Sequence, residues 1–260
     1  MSSGGARPKI VIGINGDSII SGAQRLPDGF EYWLLKFHTA ITKSDDGLIE
    51  EAYSRMVKAS GINMPETQLL DVNGTRFFAV KRFDRVFNEF RHIHSLAGLV
   101  NADFRQPDFD YEKLFRVTKM LTNNNEDLEQ IYKQMVFNVL SHNQDDHTKN
   151  FSFTMDDDGI WRSSPAYDIT FNSSAYGEQS MALMGGGENI PDQVFFELGA
   201  VCGINKAYVA TIFEQIFEQI FEALSHWNSI ASDLEISSHA KKDIQEHLNL
   251  LHGHYGHLAS

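Results

Sequence analysis

Apolar and polar positions follow two different periods along the chain, and the change of period divides it. The opening "SSGGARPKIVIGIN" is a glycine-rich turn leading into the β-branched run Ile10 to Ile14, the order expected of a loop entering a strand. "EYWLLKFHT" is a second apolar run that carries one lysine, Lys36, near its end, and the two read as paired strands. "GLIEEAYSRMVKASG" then sets Ile49, Ala52, Tyr53, Met56 and Val57 on one face at helical spacing, with Gly61 as the stop. "TQLLDVNGTRFFAVKRF" returns to the strand period around Asn73-Gly74, a strong hairpin signal.

After Phe83 the helical period dominates. "NEDLEQIYKQMVFNVLSHN" places Leu128, Ile131, Tyr132, Met135, Val136 and Val139 on one stripe. "NFSFTMDDDGIWRSSPAYD" predicts two short strands around an acidic turn. "YVATIFEQIFEQIFEALSHW" repeats Ile-Phe-Glu-Gln, which gives a broad apolar stripe with glutamates opposite, the mark of a buried bundle helix. The expectation is an α+β chain of two lobes: a small β-rich N-lobe with one helix over 1–85, and a larger, mainly helical C-lobe over 86–260.

Composition narrows the function. Apolar residues make up 42% and charged residues 22%, an ordinary folded composition. One cysteine, Cys202, rules out an internal disulfide framework and fits a reducing compartment. The N-terminus has no apolar signal core and no membrane-length apolar run follows, so a cytoplasmic protein without a membrane partner is expected. With 35 acidic against 22 basic residues the net charge is −13, which disfavours direct nucleic-acid binding. "ELGAVCGINKAYVATIFEQI" has helix-turn-helix spacing, but its second segment offers only Lys206 as a cation before Glu214, Glu218 and Glu222.

Chemistry concentrates in "SHNQDDHTKNFSF", Ser141 to Phe153. Asp145 and Asn150 lie five positions apart after a helix, and Asp168 returns beyond the hairpin. Protein kinases use an Asp and an Asn at this spacing, the first to accept the substrate hydroxyl proton and the second to bind magnesium, with a later Asp gripping the metals. Such oxygen ligands suit magnesium. In the first lobe Gly4 and Gly5 allow close backbone approach to phosphate oxygens, and Arg7 or Lys9 could add charge. Lys36 is placed like the strand lysine that holds the α- and β-phosphates, with Glu50 or Glu51 available to orient it.

"SSGGARPK", "VKRFDR", "FNVLSHNQDDHTKNFSF" and "SPAYDIT" together closely resemble the HipA family of bacterial toxin kinases, over essentially the whole chain. The resemblance implies a two-lobed protein-kinase-like fold, ATP with Mg²⁺, and transfer of phosphate to a serine or threonine hydroxyl on a protein. It implies Asp145 as catalytic base, Asn150 and Asp168 as metal ligands, and Lys36 as the phosphate lysine oriented by Glu50. Gly4, Gly5, Ala6 and Lys9 would form the phosphate loop, with His147 and Lys149 also on the nucleotide. "VKRFDR" resembles the hinge, where Lys81 and Phe83 would offer backbone groups to adenine and Asp84 would lie near the ribose. Ser2, with Ser3 adjacent, matches a serine that the family autophosphorylates. The implied partners are a small helix-turn-helix DNA-binding antitoxin (HipB-like) and a protein substrate, for which the family suggests an aminoacyl-tRNA synthetase. Full-length relatives carry a subdomain before the glycine-rich loop, so the resemblance also implies either a shortened chain or a separate small protein that supplies it. The rival classes are a catalytically silent regulator that binds ATP or antitoxin, and a small-molecule kinase, which should not match "VKRFDR" and "SPAYDIT" together.

Three features stand apart. His142 and His147 flank the acid as hydrogen-bonded orienters. The tail "LHGHYGHLAS", with His252, His254 and His257, reads as a disordered terminus. "GGGENIP", Gly185 to Pro191, reads either as a flexible surface loop or as a contact to substrate.

Overall fold

A computed structural model describes residues 8–22, 25–37, 45–86, 88–101, 109–174, 177–202 and 206–259, with backbone alone for 206–211. The first elements are β1 (Lys9–Asn15), β2 (Ser18–Ser21) and β3 (Glu31–Lys36), then α1 (Asp46–Ala59), β4 (Thr67–Val72) and β5 (Thr75–Lys81). The five strands form one antiparallel sheet in the order β2-β1-β3-β5-β4. Asn73 (φ 55°) and Gly74 (φ 81°) both take the left-handed conformation, which lets the two-residue β4–β5 turn match the strand twist.

Strand alternation gives this sheet two faces. Ile12, Ile14, Trp33, Leu35 and Ala79 pack into a small cluster on one. The other carries Lys9 directly opposite Lys36 across the β1–β3 ladder. That face also buries Tyr32 and Phe78, and the Lys36 ammonium lies 5.5 Å from the Phe78 ring centre, so the lysine sits in an apolar setting.

The chain continues through the short strands β6 (Arg85–Val86), β7 (Glu89–Phe90) and β8 (His92–Ser95) to α2 (Leu96–Leu99). The helical body follows: α3 (Tyr111–Thr122), α4 (Asn125–Leu140), the hairpin β9 (Ser152–Met155) and β10 (Trp161–Ser163), then α5 (Asp192–Val201), α6 (Lys206–Ser225), α7 (Trp227–Asp233) and α8 (Ser238–Tyr255). The run Thr122-Asn-Asn-Asn separates α3 from α4 by side-chain chemistry. Asn123 (φ 46°) ends α3 in the left-handed conformation, and the Asn124 side chain accepts from the Glu126 and Asp127 amides to start α4. In α6 the Ile-Phe-Glu-Gln repeat buries Phe213, Ile216, Phe217, Ile220 and Phe221 while Glu214, Glu218 and Glu222 stay exposed, as its period predicts. α6 approaches α5 closely because Gly199 has no side chain: a Cβ there would sit 2.0 Å from the Phe213 ring.

One continuous core runs from α1 to α8. α1 therefore belongs by packing as much to the helices as to the sheet it follows. Tyr53 shows this, fully buried, edge-on to Phe137 and Trp227, and donating to the Ser141 carbonyl at 2.7 Å. Burying such a side chain stabilises by about 1.5–3 kcal/mol. No helix among the described residues is long and apolar enough to cross a membrane.

The structure corrects the sequence reading in two places. The short strands β6, β7 and β8 follow the first sheet, and β8 joins β9 so that the hairpin becomes a three-stranded sheet; strands of two to four residues carry too few positions to show a period. The histidine-bearing tail is ordered through Ala259, because Leu248 and Tyr255 are buried and the Tyr255 hydroxyl donates to the Ile190 carbonyl at 2.9 Å. The 185–191 segment lies mostly at the surface, held by Gly185 N donating to Asp110 Oδ2 at 2.8 Å and by the burial of Ile190.

Candidate active site

At the end of α4, His142 turns the chain through a positive φ of 57° and opens the polar loop. The Asn143 amide still reaches back to the Asn138 carbonyl. At the far end the Asn150 amide donates to the His147 carbonyl at 2.9 Å and the Asn150 Nδ2 donates to the Asp145 carbonyl at 2.8 Å. The Asp145 and Asn150 of the predicted pair are thus locked together by the loop itself. His147 Nε2 lies 3.9 Å from Asp145 Oδ1. His142 faces elsewhere, stacked on Phe171 and close to His247, with burial as the first cause of a pKa lowered to about 4.

Two adjacent carboxylates have opposite environments. The Asp145 side chain is 53% accessible, whereas Asp146 is completely buried. Asp146 accepts from the Tyr111 hydroxyl at 2.6 Å, the Ser180 amide at 2.8 Å and the Met181 amide at 3.3 Å. Burial pushes its pKa up to about 7 despite those donors. Asp146 therefore anchors the loop to α3 and to residues 180–181, which leaves Asp145 as the loop carboxylate open to a reactant.

The sheet meets this loop through an ion-pair chain. Lys36 Nζ lies 2.6 Å from Glu50 Oε2 of α1 and 2.5 Å from Asp168 Oδ1. Of the two helix glutamates Glu50 reaches the lysine, while Glu51 pairs with Arg55 one turn on. Burial acts to deprotonate Lys36, but the Glu50 and Asp168 carboxylates outweigh it and raise its pKa. Asp168, at a positive φ of 59°, is held down to about 2 chiefly by the Lys36 charge, against burial, with Lys9 and His147 adding smaller attractions. Its side chain remains 43% accessible, so solvent and ligands reach the side away from Lys36.

The hinge residues are placed less uniformly. Phe83 packs on the ring of Tyr167 at 5.9 Å, and the Tyr167 hydroxyl donates to the Lys149 carbonyl at 2.7 Å while also touching Ser152 Oγ. Tyr167 joins hinge, catalytic loop and Asp168, a role the sequence reading missed although the residue stands in "SPAYDIT". The Lys81 amide donates to the Glu66 carbonyl at 2.9 Å, which removes that donor from an adenine edge, and its ammonium meets Glu31 at 2.6 Å. Both Asp84 oxygens are held by Arg82, at 2.8 and 2.5 Å, rather than left open to a ribose. Ser2, Ser3, Gly4, Gly5 and Ala6 lie outside the described residues.

The donor set fits magnesium. With Asn150 Nδ2 engaged, its Oδ1 is the remaining ligand atom, and Asp168 adds a carboxylate. Among the described residues no three His, Cys, Asp or Glu side chains form a cage of their own. Two oxygen donors completed by phosphate and water match the way magnesium is held in phosphoryl-transfer sites.

Comparison with known proteins bears on the family and the fold. The family model described as the HipA-like C-terminal domain matches residues 1–227. The Sinorhizobium fredii protein Y4dM, which carries a kinase name, is 28% identical over 153 residues, covering 53% of this chain and 36% of that protein. Among solved structures, HipA of Shewanella oneidensis MR-1, in a complex with HipB and its operator DNA, matches with a TM-score of 0.73 and 17% identity over 98% of this chain and 64% of its own. The Helicobacter pylori proinflammatory kinase CtkA matches with a TM-score of 0.59 and 13% identity over 88% and 89%. The chain thus spans about a third of the curated relative and under two thirds of the Shewanella protein. It has the two-lobed kinase-like fold of these structures and belongs to the HipA-like C-terminal domain family.

Proposed function

We propose that this chain transfers the γ-phosphate of magnesium-bound ATP to a serine or threonine hydroxyl of a protein. The observation that carries this is the chain Glu50–Lys36–Asp168, which brings a sheet lysine and a helix glutamate onto the Asp that follows the catalytic loop. Asp145 accepts the hydroxyl proton as the new O–P bond forms and the bond to the β-phosphate oxygen breaks, releasing ADP. Lys36, fixed by Glu50, holds phosphate oxygens, and Lys9 adds a second cation beside it. Asn150 Oδ1 and the open side of Asp168 would hold the metal, which when bound neutralises charge on the transferring group. The catalytic contribution is alignment and charge compensation more than covalent chemistry.

Family membership supports a place in a toxin–antitoxin pair, in which a HipB-like DNA-binding protein restrains this cytoplasmic kinase and a translation protein such as an aminoacyl-tRNA synthetase is its target. Ser2 or Ser3 is the proposed site of autophosphorylation. The test is the intact mass of the purified protein before and after ATP and magnesium, beside Asp168→Asn, with the phosphosite mapped. A gain of one phosphate on Ser2 or Ser3 in the wild type alone supports the reading. ATP binding without any phosphate gain, on the chain or on an added candidate target, favours a silent regulator instead.

A further inference from the structure

A cavity of about 1230 Å³ is lined by none of Lys36, Glu50, Asp145, Asn150 and Asp168. Its walls come from Ile62 and Asn63 after α1, from β7, from the first turns of α4 and from the β9–β10 hairpin. Two independent features describe what would fill it.

The first is charge. Six carboxylates line the cavity against two guanidiniums, Arg91 and Arg162. Arg162 is already used, bonded to Asp127 at 2.9 Å and Glu126 at 3.2 Å. Glu89 and Asp157, on opposite hairpins, have no basic partner among the described residues. The second is exposed apolar surface: Phe90 is 67% accessible and Ile160 is 55% accessible, both on the lining. Large apolar side chains left open beside a polar rim are the pattern of a docking surface.

We infer that this cavity is a docking groove for an extended segment of a partner protein that carries at least two lysines or arginines and one large apolar side chain. The basic residues meet Glu89 and Asp157, and the apolar side chain covers Phe90 and Ile160. An acidic segment or a nucleic acid is repelled by the same wall. The groove lies apart from the phosphate-handling residues, so docking selects the partner without occupying the catalytic loop.

Binding is measured by fluorescence anisotropy, without ATP, using a fluorescein-labelled decapeptide that holds three arginines around one leucine. The control is the same peptide with glutamates for the arginines. The wild-type chain binds the basic probe, and raising salt from about 0.05 M to about 0.5 M weakens it roughly tenfold. The paired exposed-site change Glu89→Lys with Asp157→Lys weakens it tenfold or more, and Phe90→Ala with Ile160→Ala weakens it several-fold. Intact-mass change with ATP and magnesium stays as in the wild type for both, so loss of docking and failure of the kinase reading are separately visible. Equal binding of the two probes, unchanged affinity in the charge-reversed variant, or no binding beside self-association that charge reversal abolishes, would each overturn the inference.

Discussion

The five-stranded sheet and the helical body are built on different terms. On one face the sheet has a cluster of its own, Ile12, Ile14, Trp33, Leu35 and Ala79, and on the other it sets Lys9 and Lys36 beside the buried Tyr32 and Phe78. The helical body buries a continuous core from α1 to α8 and fixes the 141–150 loop through the buried Asp146. The sheet's lysine is positioned by ion pairs that its neighbours supply, whereas the loop's acid is positioned by buried hydrogen bonds. The sheet side of the joint thus rests on charge, and the loop side on a buried, rigid hydrogen-bonded anchor.

Cutting the joint between the two regions should affect the comparison most. Lys36→Ala removes the cation shared by Glu50 and Asp168, and phosphate transfer should fall by about 10²–10³, as expected for one preorganised electrostatic group. Steady-state rates with a folded variant, checked by circular dichroism, read this out. Retained activity would mean that Lys9 alone serves the phosphates.

Asp146→Asn probes the rigid side. It alters a buried, fully bonded carboxyl and should cost about 1–3 kcal/mol in urea unfolding. The pH dependence sharpens the contrast. Native Asp146 keeps its proton up to about pH 7, whereas the unfolded chain releases it near about 3.9. The unfolded state therefore binds fewer protons between those values, and stability falls as pH rises through that window. Asp168 acts in the opposite sense. Its native pKa is depressed to about 2, so its contribution is present above about pH 3.9 and is lost as pH falls toward 2. Melting temperatures of the wild type and Asp146→Asn across pH 2 to 8 should show the upper slope removed in the variant and the lower one kept.

Gly199→Ala, which drives a Cβ into Phe213, should cost about 1–3 kcal/mol by overpacking the α5–α6 contact. At the sheet edge, Asn73→Ala should cost only about 1 kcal/mol, the strain of a left-handed alanine at φ 55°. Calorimetric melting of the two variants ranks the body's packing above the sheet's turn; the reverse order would break the comparison.

Legibility in the sequence followed locality. α1, α4, the Asn73-Gly74 hairpin and the Glu-lined stripe of α6 depend on spacing within one element, and each was readable there. The Asp145 and Asn150 spacing was readable for the same reason, since both lie within ten residues of the end of α4. What escaped depends on distant partners. Nothing local tells Asp145 from Asp146; Tyr111, thirty-five residues earlier, decides which one is buried. Glu50 and Glu51 are separated only by where Lys36 arrives. Tyr167 gains its role from Phe83 and Lys149, and the tail is ordered by Ile190.

The most direct test of the central claim is the rate of γ-phosphate transfer by Asp145→Asn against the wild type, at saturating ATP and magnesium. Because Asp145 is half exposed, the variant should melt where the wild type does while its transfer rate falls by about 10²–10⁴, the contribution of a positioned general base. An undiminished rate in a fully folded Asp145→Asn chain would contradict the account, since no other carboxylate of the loop is open to a hydroxyl.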